Sequence, residues 1–291
     1  MAKRRERQAE ADAEVRGEEH EPARADAPRE AAFFDLDKTL LPGSSLFPLA
    51  REMYRRKVFT ARDIARMAAD QFAFRAVGTE GEGRTSRARD ASLEAIRGRP
   101  RDEVVEMGRS VAEEELLPRL YPQGVDLLGR HKRAGREVYI CSSSPEDYLA
   151  ILAEELGLDG VIGTRAEVVE GCYTGRLDGA MCHGPEKARR VGELAAERGI
   201  DLDRSYAYSD SINDLPLLEM VGNPVAMNPD HALRQVARQR GWIRLDYRMA
   251  RRRTLLASAA GGVAATAGAV GYGLGYWAGR SRTRTRVLGS I

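Results

Sequence analysis

The sequence predicts an α/β protein: a doubly wound parallel sheet, a helical insertion after the first strand, and a hydrophobic helix near the C-terminus. Three observations carry this prediction. An apolar run over residues 31–37 ends on two aspartates one residue apart, Asp35 and Asp37. Helix-like and strand-like segments alternate from Tyr121 to Met227, the succession that builds a parallel sheet. Between these regions, residues 44–118 carry helical stripes and no strand pattern.

The 291 residues suffice for one large domain, or for a core with a smaller companion. Apolar residues make up 43% and charged residues 31%, the balance of a soluble globular chain. The net charge of +2 is unevenly spread: residues 1–30 hold seven Lys/Arg against nine Asp/Glu, whereas 247–291 hold eight arginines and no acid. The three cysteines, Cys141, Cys172 and Cys182, have no metal-ligand spacing and are expected to be reduced thiols.

Residues 1–30 offer almost no apolar side chain for a core and predict a disordered, charged segment. Residues 31–37 predict a central strand, apolar on both faces up to the aspartates. After the turn at Leu41–Ser45 come four helical stripes, around Leu46–Tyr54, Ile64–Phe72, Ala88–Ile96 and Val104–Ala112, the second opened by Thr60 as N-cap. Residues 122–134 then predict a helix stopped by Gly135. Glu137–Ser142 predicts a strand, and Ser144-Pro145 a helix start with Ser144 as N-cap. Val161-Ile162 is a short strand, and Val168–Leu177 a hairpin turning at Glu170-Gly171. Gly184-Pro185 opens a helix that ends near Gly199. Ser205–Ser209, Leu215–Met220 and Pro224–Met227 predict strand, short helix and last strand.

Polar residues then fall where such a sheet places its ligand edge, at the carboxyl ends of strands. Asp35 and Asp37 alternate to the same face, and two adjacent carboxylates there call for a hard cation with oxygen ligands. Ser142, Ser143 and Ser144 combine hydroxyls with a helix N-terminus, which suits a phosphate. Lys187 lies in the first turn of a helix, where the dipole disfavours a cation unless an anion is within reach. Asp210-Ser211-Ile212-Asn213-Asp214 again ends an apolar strand on carboxylates.

In this order, the segments resemble the four motifs of the haloacid dehalogenase (HAD) superfamily. Asp35-Leu36-Asp37-Lys38-Thr39 matches DxDxT, Ser142 the second motif, Lys187 the third, and Asp210–Asp214 the fourth. The resemblance covers residue 31 to about 245, and the insertion after the first motif is similar to the cap of the phosphoserine-phosphatase-like branch. It implies a core at 31–43 and 119–246, a helical cap at 44–118, and a phosphomonoester hydrolase. In that chemistry Asp35 is the nucleophile and Asp37 the acid/base. Ser142, Ser143, Lys187 and Asn213 hold the phosphoryl oxygens, and Asp35, Asp37 (through its carbonyl), Asp210 and Asp214 form the Mg²⁺ set. Two positions depart from phosphoserine phosphatases: Ser44 stands where they usually carry a substrate-binding Glu, and Ser142-Ser143-Ser144 replaces Ser-Gly-Gly. The implied substrate is a phosphorylated small molecule or a lipid phosphate. Phosphoserine phosphatase proper, and a catalytically weak tethered scaffold, are the alternatives.

Within 247–291, residues 254–279 are uncharged over 26 positions and bracketed by arginines. As a helix they would reach roughly 39 Å, enough for a hydrocarbon core of about 30 Å. Tyr272, Tyr276 and Trp277 cluster as interfacial aromatics do, and Gly271, Gly275 and Gly279 offer a close-packing face for self-association. The expectation is a single membrane anchor with the catalytic body on the cytoplasmic face, or a cytoplasmic protein without it. The arginines bracket an apolar span instead of interleaving with aromatics, which argues against nucleic acid.

Overall fold

The structure, a computed structural model, describes residues 29–57 and 92–247. The chain divides into two compact units, Met1–Leu245 and Asp246–Ile291, and the first holds every element below. The predicted disordered segment up to residue 28, the cap stripes between 58 and 91, and the stretch 254–279 lie outside the described residues. Among the described residues no helix is long and apolar enough to cross a membrane.

Six parallel strands form the core sheet: β1 (Ala31–Phe34), β2 (Glu137–Pro145), β3 (Gly160–Thr164), β6 (Tyr206–Ser209), β7 (Asn223–Met227) and β8 (Ile243–Leu245). Their order is β3-β2-β1-β6-β7-β8. The chain leaves β1 towards β2 and β3, then returns to β1's other side with β6. The winding direction reverses there, and a crevice opens at the carboxyl ends of β1 and β6. The predicted doubly wound sheet is thus observed.

Strand β1 is central because its four residues, Ala-Ala-Phe-Phe, are fully buried on both faces. Phe33 pairs with Tyr139 and Ala207, and Phe34 with Ile140 and Tyr208. Phe34 stacks on Tyr208 with ring centroids 4.2 Å apart, and Phe33 on Tyr139 at 5.6 Å. These contacts set the register that carries Asp35 out at the sheet's edge, where its N–H donates to the Tyr208 carbonyl at 2.9 Å. Helix α3 (Pro122–Arg133) adds His131, whose Nε2 lies 2.7 Å from the Tyr208 hydroxyl. Burial, then the charge of Arg136, pulls its imidazole down to about 3, so it is neutral at pH 7.

Two sequence expectations are corrected. Pro224–Met227 is not the last strand: helix α7 (His231–Gln239) follows, capped by Asp230 Oδ1 on Leu233 N at 2.7 Å, and β8 pairs with β7. Three residues reading Ile-Arg-Leu are too short for a periodicity signal. Ser144 is not a helix cap. Strand β2 runs through Pro145, whose ψ of 130° is extended, and helix α4 (Glu146–Glu155) begins one residue later. The residue before a proline is itself biased to extended backbone. The three cysteines are free thiols, as expected.

The hairpin β4 (Ala166–Val169) and β5 (Cys172–Leu177) turns at Glu170-Gly171 as expected, both residues at positive φ. It pairs with the insertion: Gly98 N donates to Tyr173 O, Tyr173 N to Arg99 O, and Arg101 N to Gly171 O. Of the insertion itself the structure describes helix α1 (Leu46–Arg55), a helical turn at 92–96, and α2 (Arg101–Val111). A π-helical turn, Ala112–Leu116, then leads back to the core.

Candidate active site

The first motif is a tight loop after β1. Leu40 and Leu41 N–H groups both return to the Leu36 carbonyl at 3.0 Å. Lys38 takes a left-handed conformation, φ 62°, which costs a non-glycine residue stability. It is held there from both sides: its N–H donates to Gly43 O, and its carbonyl accepts from Asn228 Nδ2 at 3.1 Å. That brace fixes the residues between the two aspartates and Thr39.

Asp35 is buried, with Oδ1 3.0 Å from Lys187 Nζ and Oδ2 accepting from Thr39 Oγ1 at 3.0 Å. Lys187 Nζ also reaches Asp214 Oδ2 at 2.8 Å, and Ser209 Oγ donates to that oxygen at 2.7 Å. Lys187 arrives from helix α5 (Pro185–Arg198), which Gly184 launches with φ 54° and ψ −124°, a conformation open to glycine. Burial alone would pull the Lys187 ammonium down; Asp35 and Asp214 outweigh it and hold it above its usual range. Burial pushes Asp35 the other way, up to about 6, against the pull of Lys187 and helped by Asp214 and Asp37.

Asp37 makes different contacts. Ser45 N donates to its Oδ1 at 2.8 Å and Ser44 Oγ to its Oδ2 at 3.2 Å. Burial raises its carboxyl, opposed by these hydrogen bonds. Ser45 Oγ in turn lies 2.8 Å from Ser144 Oγ, which ties the first motif to the end of β2. This contact, in place of helix capping, is what occupies the third serine. Ser142 is buried, and its Oγ accepts from Ser144 N at 3.3 Å; the Ser143 carbonyl accepts from Thr164 Oγ1 at 2.7 Å.

Asp210 is buried at the carboxyl end of β6, beside Asp35's strand. Its carbonyl accepts from Asp230 N at 2.7 Å, and Asp230 Oδ2 accepts from Ile212 N at 3.0 Å. Asn213 is half-buried in the short turn that follows. Sequence reasoning missed Ser209, Ser45, Asn228 and Asp230. Their hydrogen bonds organise the site, yet none stands out by periodicity. Thr39 alone was visible, as part of DxDxT.

A divalent cation fits this donor set. Asp35, Asp210 and Asp214 are buried carboxylates at one sheet edge, and Lys187 is the buried ammonium among them. Burial above all, with Asp214 and Asp37 adding to it against the pull of Lys187, raises Asp35's carboxyl, and a hard cation beside it would favour the charged form. Among the described residues no three acidic, His or Cys side chains make a ready cage. Mg²⁺ in general needs no full protein cage, because it binds through one or two carboxylates and keeps several waters. Asp37's carboxylate is turned to Ser44 and Ser45, which leaves Asp35, Asp210 and Asp214 as the candidate side-chain donors.

Residues 32–219 match the family of haloacid dehalogenase-like hydrolases, and the chain belongs to that family. A Mycobacterium tuberculosis protein named phosphoserine phosphatase is 40% identical over 222 residues, 76% of this chain and 72% of its own. An inhibition of morphological differentiation protein from Streptomyces azureus is 39% identical over 84% of this chain and 93% of its own. Among solved structures, a Bordetella pertussis protein of unknown function aligns with a TM-score of 0.67 and 31% identity, over 76% of this chain and 99% of that one. A phospho-aspartyl intermediate analogue of phosphoserine phosphatase shares the fold, with a TM-score of 0.50 and 21% identity over 75% and 94% of the two chains. The protein is therefore a hydrolase of the haloacid dehalogenase-like family, and relatives that it resembles are named phosphatases.

Proposed function

We propose that the chain is a Mg²⁺-dependent phosphomonoester hydrolase that forms an aspartyl-phosphate on Asp35. The observation that carries this is the buried Asp35–Lys187–Asp214 chain beside a separately held Asp37. Asp35 Oδ attacks phosphorus while the bond from phosphorus to the leaving oxygen breaks. Asp37, raised by burial and aimed by Ser44 and Ser45, gives that oxygen a proton, then takes one from the water that hydrolyses the acyl phosphate. Lys187, Ser142, Ser143 and Asn213 hold the phosphoryl oxygens, where charge is spread in the transition state. Asp214 keeps Lys187 in place. Asp35, Asp210 and the Asp37 carbonyl would hold the metal, which when bound supplies positive charge to the phosphate oxygens. The insertion would close over the site as a cap and exclude water.

The substrate stays at the level of a class: a phosphorylated small molecule or lipid phosphate. The relative's name favours phosphoserine. Ser44 argues against it, because its hydroxyl turns to Asp37 where a substrate-binding Glu would be expected. Metal removal tests the proposal: EDTA should abolish hydrolysis of 4-nitrophenyl phosphate and added Mg²⁺ should restore it, whereas turnover indifferent to EDTA would overturn the metal role.

The uncharged stretch 254–279 supports a second component, tethering to a membrane with the catalytic unit on the cytoplasmic face. Detergent-free fractionation should recover the full-length chain with membranes, and a 1–246 truncation in the supernatant. A full-length chain wholly in the supernatant would remove the tether.

A further inference from the structure

Among the described residues, two buried side-chain polar atoms lack a hydrogen-bond partner: His131 Nδ1 and the Tyr148 hydroxyl. His131 lies among the rings of Phe34, Tyr206 and Tyr208, and its other nitrogen already bonds Tyr208. Tyr148 is different. It sits in the first turn of α4, directly after the strand end that bears Ser142 and Ser144. Ser144 is joined through Ser45 to Asp37, and Asp37 is close enough for its charge to act on the Tyr148 phenol.

The turn is held rigidly. Glu146 accepts from Gly163 N at 3.1 Å and from Arg165 Nε at 2.7 Å. Asp147 Oδ1 accepts from Arg101 Nε at 3.0 Å, and its Oδ2 from the Tyr173 hydroxyl at 2.8 Å. Those bonds pin α4 to β3 on one side, and to the insertion and hairpin on the other. Helix α2 lies against the Tyr148 ring at Gly108, where an added Cβ would stand 3.3 Å from ring carbon Cδ2. The residue is 3% exposed. A hydroxyl buried without a partner costs stability, and a rigid wall beside a reacting group is where such a cost has a use.

We propose that Tyr148 is a substrate-contacting residue whose hydroxyl donates a hydrogen bond to an oxygen on the leaving group, just beyond the phosphoester. This rests on the proposed roles of Asp35 and Asp37 and adds a substrate class: phosphomonoesters of polyols or hydroxy acids, with an oxygen near the ester. Burial, then the nearby Asp37 and Glu115 charges, keep the phenol protonated and therefore a donor. An apolar leaving group leaves the hydroxyl without a partner in the closed site, and the enzyme discriminates against it by that cost.

The test uses the full chain, its Tyr148→Phe variant, and three probes: glycerol 3-phosphate, O-phosphoserine and phenyl phosphate. The wild type should favour at least one of the first two by kcat/KM. In Tyr148→Phe that preference over phenyl phosphate should fall about tenfold, the worth of one hydrogen bond. Its thermal midpoint should hold or rise, because an unpartnered hydroxyl is removed. An unchanged preference, a loss shared equally by all three esters, or a wild type that favours phenyl phosphate overturns the proposal. A lowered midpoint with unchanged preference assigns the hydroxyl to packing or a buried water, and also overturns it. Asp35→Asn serves as the separate control: turnover in that variant would defeat the underlying mechanism, irrespective of what Tyr148 does.

Discussion

Asp35→Asn is expected to lose phosphomonoesterase activity by at least about 10⁴-fold, because no other group takes over a missing nucleophile. The fold should survive. Asparagine is isosteric, can still accept from Thr39 Oγ1, and replaces a carboxyl that burial already pushes up to about 6. Lys187 keeps Asp214 as its partner at 2.8 Å. Initial rates on 4-nitrophenyl phosphate, circular dichroism and a thermal melt check this together. Rates within about tenfold of wild type in a folded variant would remove Asp35 from the role of nucleophile. A second readout is independent of rate: wild type quenched in acid during turnover of a radiolabelled ester should carry label on protein, and Asp35→Asn should carry none.

Lys187→Met is expected to produce the largest loss of stability of any single change at the site. The residue is 2% exposed and contacts Asp35 and Asp214, both buried. Methionine fills similar volume but leaves two carboxylates in a low-dielectric site with no cation. Removing one partner of a buried pair costs about 3–5 kcal/mol, which for a domain of this size lowers the melting point by roughly 10 °C. The pH dependence follows from the sign of the shift. A carboxyl raised in the folded state binds protons more tightly there than in the unfolded chain, so its stability penalty grows as pH rises through the interval between the two values. Asp35 already stands at about 6 in the intact site, against 3.8 unperturbed. Without Lys187 it goes higher, so the deficit of Lys187→Met should shrink as pH falls from 8 to 5. Urea unfolding at both pH values, in EDTA so that no divalent cation compensates, measures it. A variant within about 1 kcal/mol of wild type at pH 8 would show that the ammonium is not what balances these charges.

Much of this site was legible in the sequence because its signals are local. The run Ala31–Phe34 followed by Asp35 and Asp37 declares a buried strand with an acidic end, whatever lies around it. Gly184-Pro185 declares a helix start, and so puts Lys187 in a first turn where a lone cation is out of place. The Glu170-Gly171 turn was equally plain. Errors came where local signals conflict or run short. Ser144-Pro145 carries the composition of a helix start, yet a serine partner from 99 residues away and an extended proline keep it in the strand. Strand β8 is three residues long and owes its existence to β7 beside it.

By itself, then, the sequence determined the elements and the residue types at their ends, because hydrophobic period, capping and turn chemistry act over a few neighbours. Only the tertiary structure decided which of those ends meet. Lys187 reaches Asp35 across 152 positions and Asp214 across 27, through a strand order no local pattern encodes. The same order gives Ser209, Asn228 and Asp230 their bracing roles, and leaves the Tyr148 hydroxyl buried and unpartnered. Long-range pairing sets those distances, and with them the burial and charge balance around Asp35.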